Sequence, residues 1–85
     1  MVPGQKWSEG MIIPLTKTGT KPDRYFGRHR DYTVEISRES RRADWYIIVT
    51  HPSGGLNYDG YWRDSAGKPI REAIAEAFRG GRIPK

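Results

Sequence analysis

The chain has no cysteine, which excludes a disulfide framework, a thiol nucleophile and a thiolate zinc site and points to a reducing compartment. Long apolar runs are missing too. Nothing approaches the ~20 residues of a membrane span, and the opening MVPGQKWSEG lacks the apolar core of a secretion signal, so a cytoplasmic location without membrane contact is expected. Histidine is scarce. Neither His29 nor His51 stands at metal-ligand spacing from Asp59, Asp64 or Glu76, so no metal and no other cofactor is expected. A chain of 85 residues makes one small domain, burying about 60% of its unfolded surface, which leaves little room for an enzyme cleft.

What the chain does have is positive charge, +5 overall. Residues 1–30 contribute +4 (six Lys/Arg, two acids), residues 31–64 contribute −2 (four against six) and residues 65–85 contribute +3 (five against two). The charge therefore gathers at the two ends, as a polyanion-binding protein would carry it.

The clearest element is PIREAIAEAFR, Pro69 to Arg79, where Ile70, Ala73, Ile74, Ala77 and Phe78 form one apolar stripe at helical spacing. Pro69 suits the first helical position, and Gly80-Gly81 followed by Pro84 supplies the stop. Such a short helix needs a surface to lie on. Upstream, Tyr32, Val34 and Ile36 alternate with polar residues, Trp45 to Val49 is apolar on both faces, and Leu56, Tyr58 and Trp62 alternate again. These three strands read as an antiparallel meander with the Trp45–Val49 strand in the middle. The expected fold is α+β, an antiparallel meander sheet of three or four strands with one C-terminal helix on one face. Residues 31–85 form that domain, and residues 1–30 are expected to be a basic segment, irregular or with a short edge strand at MIIPL.

Register assigns Val34, Ile36, Trp45, Ile47, Val49, Tyr58 and Trp62 to the helix side, leaving Glu35, Tyr46, Ile48, Asp59 and Tyr61 on the other. That aromatic face needs a cover, either Trp7, Ile12, Ile13 and Leu15 from the N-terminal segment or another molecule. By element order over residues 32–80, the chain resembles the arm-binding domains of some transposon integrases and certain plant transcription-factor domains. The resemblance implies a sheet laid in the DNA major groove by arginines and tryptophans on the helix-free face. Here that face is expected to hold no arginine, which sets it apart from that mode.

Nucleic acid is instead expected to meet basic loops: Arg38, Arg41 and Arg42 in the first hairpin, and Arg24, Arg28 and Arg30 interleaved with Tyr25 as a stacking platform. Arg79, Arg82 and Lys85 form a third cluster. The alternative is a protein-interaction module, a dimer, adaptor or small inhibitor of viral or mobile-element type, using Tyr46, Ile48 and Tyr61. Catalysis is not expected; a ribonuclease would need His29 and His51 to converge, and nothing in the spacing brings them together.

Overall fold

The computed structural model describes residues 16–17 and 23–84. Strands β1 (Thr16–Lys17), β2 (Asp23–His29), β3 (Tyr32–Arg38), β4 (Tyr46–Thr50) and β5 (Leu56–Tyr61) precede one helix, α1 (Ile70–Gly80). They form one antiparallel sheet in the order β1-β2-β3-β4-β5, with each strand hydrogen-bonded to its neighbour in sequence. The α+β meander with a C-terminal helix on one face is as expected, built from four full strands and a two-residue β1. Residues proposed to form a strand at MIIPL, or to cover the sheet through Trp7, Ile12, Ile13 and Leu15, lie outside the described residues.

Period-two alternation sends Val34, Ile36, Ile47 and Val49 to the helix side, where they are fully buried against Ala73, Ile74, Ala77 and Phe78. Tyr25, Tyr32, Tyr58, Trp62 and Ile70 pack around this core. Trp45 closes one end of it. Its backbone N–H donates to Ser65 Oγ at 2.8 Å, its carbonyl accepts from Trp62 N at 2.8 Å, and its indole Nε1 donates to the Lys68 carbonyl at 2.9 Å. Asp44 completes the clasp, its Oδ1 accepting from Ser65 N and Ala66 N, both at 3.0 Å. The loop after β5 is thereby tied to the residues before β4.

The helix ends differ from the sequence reading in detail. Pro69 is the N-cap rather than the first helical residue, with extended backbone (φ −74, ψ 159) and its carbonyl accepting from Glu72 N at 3.0 Å. At the other end Ile83 N donates to Phe78 O at 3.1 Å, the six-to-one bond of a Schellman stop, and buried Ile83 packs with Phe78 in the core. The left-handed position falls on Arg82 (φ 56), one residue beyond the glycines. Gly81 serves contact instead: a Cβ there would lie 2.5 Å from Ala77 O and 2.8 Å from Val49 Cγ2, and one at Gly80 would strike the Tyr58 ring.

Residues 23–29 correct the expectation for the first thirty residues. They form a seven-residue strand paired with β3 along its whole length, from Asp23↔Arg38 to His29↔Tyr32. The Asp23–Arg38 ion pair at 2.7 Å locks one end of that hairpin. The other end is a two-residue turn with Arg30 (φ 50) and Asp31 (φ 66) both left-handed, the backbone a type I′ hairpin requires, made here without glycine or asparagine.

Candidate nucleic-acid interface

Because β2 is a strand, its side chains alternate, and this redistributes the sequence candidates. Tyr25 turns inward, its ring tilted against Trp45 at 6.4 Å between centroids, and burial followed by the Asp23 carboxylate raises its pKa above the ordinary 10. Its ring therefore lies on the helix side, against the core, and not on the open face of the sheet. Arg24, Phe26 and Arg28 turn outward, so the helix-free face does carry arginines, contrary to the expectation. Phe26, rather than Tyr25, is the exposed ring of β2.

Cross-strand pairing arranges this face in three rows. Arg24, Ser37, Tyr46 and Tyr61 form one; Phe26, Glu35, Ile48 and Asp59 form the next; Arg28, Thr33, Thr50 and Leu56 form the last, beyond a register shift between Val49 and Thr50. Tyr46, Ile48 and Tyr61 thus share the face as expected. Among the described residues, Phe26 (47% exposed), Leu56 (58%) and Tyr61 (65%) are the exposed large hydrophobic residues, and the pairing puts all three on this face.

Both carboxylates on this face are engaged. Arg24 reaches Glu35 Oε2 through Nε at 3.0 Å and Nη2 at 2.9 Å. The Tyr46 hydroxyl donates to Asp59 Oδ1, and that hydrogen bond is the main cause that raises the Tyr46 pKa above its ordinary value. Tyr46 also meets Tyr61 edge to face, 4.8 Å between centroids at 67°. With Arg24 and Arg28 against Glu35 and Asp59, the charges of these four face residues cancel.

The remaining arginines divide by location. Arg38, with Val34 and Ile36 on the helix side, is held by Asp23 and stacks 4.1 Å over the Trp45 ring, so its charge is used internally rather than offered to a ligand. Arg41 and Arg42 are exposed in the β3–β4 loop, where Arg42 N donates to Ser40 Oγ at 3.2 Å. Exposed Arg63 follows β5 and leaves the sheet at the same end, as the Tyr46↔Tyr61 pairing requires. Sequence spacing alone does not show this convergence, because Arg63 stands 21 residues beyond Arg42 and only the pairing of β4 with β5 brings the two loops to one end. Arg28 and Arg30 lie toward the opposite end, Arg30 in the tight turn. Arg79 pairs with Glu76, Arg82 occupies the helix stop, and Lys85 lies outside the described residues.

The histidines occupy different settings. His29 meets Phe78 edge to face at 5.1 Å on the helix side, while His51 Nδ1 accepts from Ser53 N at 3.0 Å in the β4–β5 turn and its ring abuts Tyr32. Among the described residues there is no pocket, no cluster of three metal-ligating side chains and no helix long and apolar enough to cross a membrane. Compared with known protein families, curated proteins and solved structures, the chain shows no significant match to any of them.

Proposed function

We propose that this protein is a small non-enzymatic nucleic-acid-binding module that engages its ligand with the Tyr46–Tyr61 end of the helix-free face and the arginine loops beside it. The observation that carries this reading is that convergence: a fixed aromatic pair in one row with Arg24, and Arg41, Arg42 and Arg63 in the two loops leaving the same end. Guanidinium groups grip phosphates, and aromatic rings accept bases of any identity.

The test is fluorescence anisotropy of labelled DNA and RNA, single-stranded and duplex, at ~50 and ~200 mM salt. Three arginine–phosphate contacts imply a roughly 20- to 40-fold loss of affinity over that range. Replacing Arg41, Arg42 and Arg63 by alanine together should weaken binding and flatten the salt dependence. Absence of binding at the lower salt overturns the reading.

A second reading is favoured by one specific observation, the gathering of Phe26, Leu56 and Tyr61 on one sheet face. On this reading the face docks a protein partner or a second copy of the chain. Mass measurement in solution tests the second copy: a dimer that dissociates on Tyr61→Arg supports self-association, and a monomer at high concentration excludes it.

A further inference from the structure

We infer that the helix-free face takes single-stranded rather than duplex nucleic acid, with Phe26 and Tyr61 as the two stacking platforms. This rests on the nucleic-acid reading above and specifies its ligand. A sheet that reads a duplex must extend polar or cationic side chains past the phosphates to base edges. The middle of this face offers the reverse. Its second row is Phe26, Glu35, Ile48 and Asp59, Arg24 is already folded onto Glu35, and the exposed cation of the face, Arg28, stands in the last row, while Phe26 and Tyr61 project as exposed rings.

An unpaired strand fits that distribution. Its bases can turn their π-faces to the sheet while the phosphates, repelled by Glu35 and Asp59, run toward Arg41, Arg42 and Arg63 at one end and Arg28 at the other. Phe26 and Tyr61 stand on β2 and β5, three strand spacings apart, about 14 Å across the sheet. Four-stranded sheets with exposed aromatics stack two or three unpaired bases. Tyr61 is also pre-oriented. Tyr46, anchored on Asp59, holds it edge to face while leaving it 65% exposed, so little ring freedom is lost when a base stacks. Asp59 has a second carboxylate oxygen that can accept from the exocyclic amino group of a stacked base.

The experiment compares labelled oligo-dT and oligo-U of about twelve nucleotides with a duplex of equal length, at the two salt concentrations, against the full chain and its variants. The single strands should bind more tightly. Phe26→Ala and Tyr61→Ala should each weaken single-strand binding roughly 5- to 150-fold, with the salt dependence unchanged because no charge is removed. Phe26→Tyr and Tyr61→Phe, which keep the rings, should retain affinity; circular dichroism and thermal unfolding verify that each variant is folded. If the duplex binds as well as the single strands, or if both alanine variants are neutral while the triple arginine variant loses binding, the single-strand inference falls and the nucleic-acid reading stands. If no nucleic acid binds, both fall.

Discussion

Ser65→Ala is the sharpest probe of how the arginine-bearing end is held. The Ser65 side chain is fully buried, accepts from Trp45 N at 2.8 Å and donates to the Trp62 carbonyl at 2.5 Å. Alanine fits the space but leaves the Trp45 N–H without its acceptor, and a buried unsatisfied donor costs about 1–3 kcal/mol. The Trp62 carbonyl loses a donor as well, so a total near 2 kcal/mol is expected. In a domain of this size that lowers Tm by roughly 8–16 °C. Urea unfolding followed by tryptophan fluorescence is the direct assay, because Trp45 and Trp62 both flank the lost bond. The midpoint should fall with an unchanged m-value, and exposed Ser53→Ala should stay within about 0.5 kcal/mol of the parent. Asp44→Ala, which removes the acceptor for Ser65 N and Ala66 N, should be non-additive with Ser65→Ala by at least about 0.5 kcal/mol, since both hold one loop. A loss below about 0.5 kcal/mol for Ser65→Ala would refute the account of this clasp.

Four further outcomes are expected. Gly81→Ala should cost about 1–3 kcal/mol by overpacking against Val49 and the Ala77 carbonyl, whereas Arg82→Gly should gain about 1 kcal/mol by relieving a left-handed non-glycine residue; thermal unfolding reads both. Asp31→Gly should likewise stabilise by about 1 kcal/mol, because glycine suits the second position of a type I′ turn; an unchanged or lower midpoint would count against the strain argument. Burial, then its hydrogen bond to Glu76 Oε2 at 2.9 Å, pushes the Tyr58 hydroxyl up to about 12. A pKa raised on folding gives stability that is whole below the ordinary value of 10 and is lost as pH climbs toward 12. Unfolding midpoints between pH ~9 and ~12 should therefore decline less in Tyr58→Phe than in the parent.

The helix and strands β3 and β5 were legible because their apolar residues repeat at clean periods, β4 because it is an unbroken apolar run, and register then placed Tyr46, Ile48 and Tyr61 on one face. Strand β2 was not. Its inward residues are Tyr25, Gly27 and His29 and its outward ones Arg24, Phe26 and Arg28, so hydrophobicity does not alternate although geometry does. The inward turn of Arg38 did have a signal, since it continues the even-numbered series Val34, Ile36; its charge masked that position. Ser65 left no trace, because a small hydroxyl in a loop reads the same whether it faces water or a tryptophan backbone.

The meander has a kinetic consequence. Every strand joins its neighbour in sequence through loops of two, seven and five residues between β2 and β5, so those four strands assemble by hairpin closure without a crossover. Local pairings of this kind form quickly, and the slowest search falls to the helix, which must return from residue 70 to cover β3 and β4. During synthesis the sheet is complete before that helix emerges. For that interval Val34, Ile36, Ile47 and Val49 are uncovered, and the nascent chain is at its most prone to association.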